Sequence, residues 1–348
     1  MSRHSDFRSD TVTQPTPAMK AAMLAAELGD DVLDGDPTVR ALEARVAELL
    51  GKDGALYVPS GTMANQVALG AWTRPGDEIV VERSAHMVQW EAGAAGFNHG
   101  VQTMTLDVPD GVLTPALVER AIRPASLHCA KTALVCVEQT FMGSGEGPGG
   151  LVLPLAKLRE LSAWCRARSL PVHMDGARLM NAVVASGTSA RDFAACADSV
   201  SLCLSKGLGA PVGSLIAGPR EFLERGKLVR KRLGGWMRQC GILAAGGLHA
   251  LEHHVARLEQ DHALARRLAE RLHGLPGLAC PPNQVQTNIA MVQLKHAQHT
   301  PASLCAALKE RGVLVLPMTA SSLRFVTHMD VGEADVERLA GACREILR

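Results

Sequence analysis

Val172-His173-Met174-Asp175-Gly176-Ala177-Arg178 and, further on, Ser199-Val200-Ser201-Leu202-Cys203-Leu204-Ser205-Lys206-Gly207 are the two stretches whose reading decides the fold. Each is a short apolar run that ends in a charged residue and a glycine turn. Working outward, the same texture recurs, and it predicts strands at 55–58, 78–82, 101–106, 132–137, 171–174 and 199–204. Helical patterns lie between them; in the first, Val39, Leu42, Val46, Leu49 and Leu50 fall at helical spacing and Gly51 marks the stop. Buried strands alternating with helices imply an α/β domain, its mostly parallel sheet sandwiched by helices.

Around Gly234-Gly235 the texture changes. A long helical zone is expected over 242–272, then strands at 288–294, 313–316 and 323–326, then a last helix over 333–347. This reads as a smaller C-terminal α+β domain at 246–348, after a large domain at 21–245. Residues 1–20, polar and punctuated by Pro15 and Pro17, are expected to be an extended N-terminal segment that packs on the active site.

Composition removes several classes of function. The 36 Lys+Arg against 35 Asp+Glu leave a net charge of +1, which argues against electrostatic nucleic-acid binding. Only 3% of residues are aromatic, so a base-stacking platform is equally disfavoured. No apolar run reaches the roughly 18 residues a membrane span requires. The polar, charged opening MSRHSDFRSD does not read as a signal peptide. Nine scattered cysteines without a C-x-x-C pair read as reduced thiols of a cytoplasmic protein.

Four stretches carry residue types that chemistry uses. Pro59-Ser60-Gly61-Thr62-Met63-Ala64-Asn65 is a small-residue turn opening a helix. Its free N–H groups and helix dipole suit a phosphate, although a plain Ser/Thr-capped helix would look the same. Asp175 ends a buried strand where ligands bind in parallel sheets; it could pair with a protonated heterocycle, and Arg178 with a carboxylate. The plainer alternative is an Asp that caps the next helix and an Arg that pairs across it. Lys206 follows an apolar strand whose low-dielectric end could lower its pKa enough for an amine nucleophile; surface lysines are far commoner, but they rarely cap so apolar a strand. His86 precedes a run of Ala and Gly that would let a flat ring approach the backbone. Cys203 and the pair His253-His254 read as structural. Together the four fit pyridoxal phosphate, which needs a Schiff-base lysine, an acid at its ring nitrogen, a phosphate cradle and a face over the ring. Lys206 follows Asp175 by 31 positions, which suits neighbouring strands.

At this point the sequence resembles the L-threonine aldolases, β-eliminating lyase relatives within the fold-type I, aspartate aminotransferase-like superfamily. The matching stretches include FRSDTVTQPTPAM from Phe7, GDDVLDGDPTV from Gly29, VPSGTMANQ from Val58, AHMVQWEAGA from Ala85, HMDGARLMNA from His173, LSKGLGAPVGS from Leu204, MRQCGILAA from Met237 and RFVTHMD from Arg324. The resemblance implies Lys206, Asp175 and His86 as catalytic residues, with Lys206 the Schiff-base lysine. It implies Gly61 and Thr62 at the phosphate, Asp175 at the ring nitrogen and His86 over the ring. Ser9, Arg178 and Arg324 would hold the substrate carboxylate. Arg238 would reach the cofactor from a neighbouring subunit of a homotetramer whose dimers share active sites. Nothing in the sequence demands a metal ion. The implied reaction is cleavage of L-threonine, L-allo-threonine or phenylserine to glycine and an aldehyde.

The chain departs from the family pattern in three places. The family's Glu-Asn-Thr-His-Asn is here Glu138-Gln139-Thr140-Phe141-Met142, which removes a candidate base for the β-hydroxyl and places Phe141 in the substrate pocket as an apolar residue. Trp236 interrupts a run that is usually all glycine, and the Gly-rich loop at 143–150 is longer than usual. The expectation is therefore that His86, directly or through a water, takes the β-hydroxyl proton. Another pyridoxal reaction on the same frame (β-elimination, racemisation or cleavage of a different β-substituted amino acid) is the competing reading. A protein that only holds the cofactor fits less well, since Lys206, Asp175, Arg178 and Arg324 are all retained.

Overall fold

The computed structural model describes residues 4–348; residues 1–3 of the expected N-terminal segment lie outside the described residues. A seven-stranded sheet forms the large domain: β1 Gly54–Val58, β2 Glu78–Glu82, β3 Gln102–Leu106, β4 Thr132–Glu138, β5 Val172–Gly176, β6 Ser199–Cys203 and β7 Ser214–Gly218. Their order across the sheet is β1-β7-β6-β5-β4-β2-β3. All neighbours run parallel except β7, which is antiparallel to both β1 and β6. Strands β2, β5, β6 and β7 are buried along their whole length, as in a sheet covered on both faces. The six expected strands are all present. β7 had no sequence signal of its own: Ser214-Leu215-Ile216-Ala217-Gly218 is short, flanked by small residues, and belongs to the sheet only because β1 and β6 leave a slot for it.

The smaller sheet contains β8 Leu278–Ala279, β9 Ile289–Leu294, β10 Leu316–Pro317 and β11 Ser322–Val326, in the order β10-β11-β9-β8. The expected strand at 313–316 divides: Leu316 joins this sheet, while Val313–Leu314 pairs in parallel with Ser5–Asp6. That pairing stitches the N-terminal segment onto the small domain. Phe7 is fully buried there, edge-on to Phe325 at 6.5 Å between ring centroids.

Two expected boundaries move. The extended segment stops earlier than residue 20, because Pro17–Leu24 is a helix capped by Thr16. Pro17 stands at the first helical position, where its missing N–H costs nothing and its fixed φ is already helical. The helical zone at 242–272 is two helices, Gly241–His253 and Leu258–Leu272. Ala250, Leu251 and Leu258 pack into the core of the large sheet, whereas Ala265, Leu268 and Leu272 pack into that of the small one. By packing, the change of core therefore falls inside the second of these helices and not near residue 245.

Candidate active site

Chemistry-bearing side chains gather at the C-terminal ends of the parallel strands, the end at which open α/β sheets bind ligands. β5 delivers Asp175, the turn after β6 delivers Lys206, β4 ends on Glu138, and the turn after β2 leads to His86 in the short helix His86–Gln89. From β1 the chain enters the helix Gly61–Trp72 through Ser60, whose Oγ accepts from the N–H of Met63. The N-terminal segment closes the site, with Thr13 Oγ1 donating to the carbonyl of Lys206 at 3.0 Å.

A pocket of about 390 Å³ is lined by Ser9, Thr11, His86, Trp90, Met142, Arg178, Lys206, Leu316, Pro317, Met318 and Arg324. The structure thus brings Ser9, His86, Arg178, Lys206 and Arg324 to one cavity. A larger concavity of about 1000 Å³ opens near Thr132 and Pro171, at the other end of the strands, and gathers none of the expected site residues.

Asp175 is 3% exposed and accepts from Asn65 Nδ2 at 2.7 Å. Burial alone would raise its pKa, but His86, Lys206 and the Asn65 bond together hold it below the usual carboxylate range. A buried carboxylate kept ionised is suited to hold a proton on a heterocyclic nitrogen. At the helix start, the N–H of Ala64 bonds Ser60 and that of Met63 is capped, which leaves the N–H groups of Gly61 and Thr62 without a bond to any described residue. A Cβ added at Gly61 would meet only Ser214 Oγ, at 3.7 Å. That hydroxyl is buried without a hydrogen-bond partner among the described residues. Ser214 is the strand neighbour of Cys203, three residues before Lys206. Open space, free N–H groups and an orphaned hydroxyl form a cradle for an oxyanion. The donor set therefore fits pyridoxal phosphate, with Gly61, Thr62 and Ser214 at the phosphate, Asp175 at the ring nitrogen and Lys206 at the aldehyde.

The two pocket arginines differ. Arg178 directs Nε and Nη2 at the two oxygens of Asp10, at 2.8 and 2.6 Å, with both residues buried. Its Nε/Nη2 edge is committed to Asp10, so only its Nη1 N–H groups and the second N–H of Nη2 remain for a ligand. Arg324 forms no ion pair with a described residue. Its Nη1 lies 3.0 Å from Met142 Sδ, its Nη2 donates to the carbonyl of Arg8, and its buried Nε has no partner. Burial first, then the positive charge of Arg178, push its pKa down to about 10. This is a cation in need of an anion. Ser9 lines the same wall, its Oγ accepting from Thr11.

Phe141 requires correction. It does not line the pocket: it is 1% exposed in the core of the large domain, its ring against Gly111. Phe141 pairs with Leu151 through both backbone hydrogen bonds, and on extended backbone successive side chains alternate. Met142 is consequently the residue that faces the cavity. Arg238 is not brought to this pocket either; it pairs with Asp30 at 3.0 Å and its side chain is 59% exposed. Trp236 donates Nε1–H to Asp31 at 2.7 Å and lies 4.6 Å from the Arg230 guanidinium, so it ties the 233–238 loop to the loop before Pro37.

Two buried carboxylates without an assigned role, Glu91 and Glu138, complete the site. Glu91 accepts from Asn65 Nδ2 (2.8 Å) and Gln66 Nε2 (2.9 Å), and its Oε1 lies 3.0 Å from His86 Nδ1. Glu138 accepts from the backbone N–H of His86 at 2.6 Å and of Met142 at 2.9 Å, joining two walls of the pocket. Burial and the neighbouring Asp175 push the Glu138 carboxyl up to about 7. Both were present in the motifs read above; nothing in a linear pattern marks a carboxylate as buried.

Comparison with known proteins follows the same line. The Beta-eliminating lyase family model matches residues 6–297. A low specificity L-threonine aldolase of Escherichia coli K12 is 41% identical, covering 98% of this chain and 99% of that protein. A probable low-specificity L-threonine aldolase of Arabidopsis thaliana is 40% identical, over 99% and 97% respectively. Among solved structures, the threonine aldolase of Leishmania major superposes with a TM-score of 0.81 at 20% identity, covering 99% of each chain. The serine palmitoyltransferase of Sphingomonas wittichii gives 0.74 at 19%, over 98% of this chain and 86% of that one. At those identities the structural likeness speaks to the fold alone.

Proposed function

The chain belongs to the beta-eliminating lyase family and is a lyase of the aldolase type, and from that premise we propose that it cleaves L-β-hydroxy-α-amino acids to glycine and an aldehyde with pyridoxal phosphate. Threonine and allo-threonine are the first substrates, in keeping with the relatives' names. The observation that carries the reading is Arg324, an uncompensated cation in the same pocket as Lys206.

Pyridoxal phosphate, when bound, supplies an electron sink for bond cleavage at the α-carbon of an amino acid. Everything else falls to side chains. Gly61, Thr62 and Ser214 would hold its phosphate, Asp175 would keep its ring nitrogen protonated, and Lys206 would supply the amine that anchors it. Arg324, with Ser9 and the free Nη1 of Arg178, grips the substrate carboxylate and so fixes how the Cα–Cβ bond is presented. His86 takes the proton from the β-hydroxyl; as the Cα–Cβ bond breaks, that oxygen becomes the aldehyde, and a proton returned to Cα completes glycine. Met142, Met318, Leu316, Pro317 and Trp90 surround the β-substituent with apolar surface, which favours a bulky group such as the phenyl of phenylserine over the methyl of threonine. We further propose a cytoplasmic homotetramer in which Arg238 completes a neighbour's site.

Product analysis tests this directly. The purified protein is given L-threonine, L-allo-threonine and L-phenylserine beside a Lys206→Ala control, and glycine and aldehyde are quantified. Equal glycine and aldehyde, lost in the control, is the expected result. 2-Oxobutanoate and ammonia from threonine in place of glycine and acetaldehyde would overturn the aldolase in favour of β-elimination.

A further inference from the structure

Among the described residues His86 is the one imidazole lining the pocket, and its ring is held by a network that reaches Asp175. Nδ1 lies 3.0 Å from Glu91 Oε1, and the Glu91 side chain is fully buried. Glu91 accepts two further hydrogen bonds, from Asn65 and Gln66. Asn65 Nδ2 serves Glu91 and Asp175 together, at 2.8 and 2.7 Å. Its orientation is set by the other end of the amide, since Asn65 Oδ1 faces His173 Nε2 at 3.1 Å and Ser201 Oγ at 3.3 Å. Glu91 is thus anchored on both oxygens, and as a carboxylate it offers the facing His86 nitrogen an acceptor only.

We propose that Glu91 is a positioning residue: it fixes His86 as the tautomer protonated on Nδ1, leaving the Nε2 lone pair as the acceptor for a substrate hydroxyl. The inference rests on the aldolase reading for its chemistry, but the tautomer itself does not depend on it. The same logic operates in hydrolytic triads, where a buried carboxylate holds a histidine in its useful tautomer. It also accounts for how a chain without the family's second histidine retains a competent base. His86, Glu91 and Asp175 place donor atoms within 4.8 Å of one another, a spacing that would also suit a cation. Asn65 and Gln66 already donate one N–H to each oxygen of Glu91, which favours the hydrogen-bonded reading over a cation.

The charged groups around His86 are Glu91 and Asp175, which favour its protonated form, Lys206, which opposes it, and Glu138 at its backbone N–H. Burial disfavours the charged ring, yet the Glu91 bond and Asp175 leave its pKa above the ordinary value. The base works only when neutral, so activity is lost as pH falls through that raised pKa, and removing Glu91 moves this acid limb to lower pH.

Two measurements test the proposal. In full-length protein labelled with ¹⁵N-histidine, with and without pyridoxal phosphate, the His86 resonances (assigned by their loss in His86→Gln) are expected to show a protonated Nδ1 and a bare Nε2. In Glu91→Gln the acid limb of kcat/KM is expected to shift to lower pH while kcat falls on the order of 10²-fold, the low end of a positioned general base. A protonated Nε2 in the neutral wild-type ring, or an unmoved limb in Glu91→Gln, would overturn it. If Glu91→Gln does not fold, the wild-type spectrum decides alone. The Nδ1–H tautomer in a protein that releases no glycine from any of the three substrates sinks the aldolase reading and supports the positioning role.

Discussion

Phe141 and Met142 are consecutive, and the pairing of Phe141 with Leu151 sends one side chain into the core and the other into the pocket. The two positions should therefore separate stability from specificity. Phe141→Ala leaves a cavity beside Gly111 and is expected to cost about 3–5 kcal/mol, read as a lower urea midpoint, with the ratio of threonine to phenylserine turnover nearly unchanged. Met142→Ala is expected to shift that ratio and to cost less stability, because its side chain borders open space. Equal effects of the two substitutions on specificity would show that the alternation argument is wrong. The arginines divide in a similar way: Arg178 is held by Asp10 as a buried pair, whereas Arg324 is left for a ligand.

At the scale of elements, the start of the helix Gly61–Trp72 is where fold and cofactor meet. Ser60 caps the helix, Asn65 one turn later reaches Asp175, and Gly61 stands over unfilled space beside Ser214. Gly61→Ala adds a methyl that no protein atom opposes closely. The cofactor-free protein is expected to keep its stability to within about 0.5 kcal/mol. Its affinity for pyridoxal phosphate, measured by absorbance titration, should fall, since the methyl stands where the phosphate would approach. An undiminished affinity would move the phosphate away from this helix. Of this element, the turn and its anion-binding character were legible in PSGTMAN, because caps and helix dipoles are local. The role of Asn65 was not, because its partners Asp175 and Glu91 are supplied by other strands and turns.

The single chain exposes Leu24, Leu33 and Phe97 by 82%, 74% and 91%, and places Arg238 at the surface, bonded to Asp30. The proposed assembly of identical subunits rests on Arg238, which lies away from the pocket of its own chain. If active sites are shared, Lys206→Ala and Arg238→Ala are each inactive, but mixing them under conditions of subunit exchange restores activity, because one site of the hybrid has both residues intact. Failure to complement in hybrids shown to form would confine Arg238 to a structural role.

What the sequence determined by itself is the order of the elements and the cofactor chemistry. Short apolar runs ending in Asp175 and Lys206, a small-residue helix start and an imidazole beside Ala and Gly are local patterns, and a parallel sheet must bring such strand ends to one edge. The tertiary structure decided which charges are already spent. Asp10 meets Arg178 across 168 positions, and β7 fills a slot that exists only once β1 and β6 are in place. Which of Phe141 and Met142 faces the cavity depends likewise on the hydrogen bonds to Leu151. Such pairings follow from topology and burial, which no local pattern encodes, and they separate an arginine held by the protein from one left for a substrate.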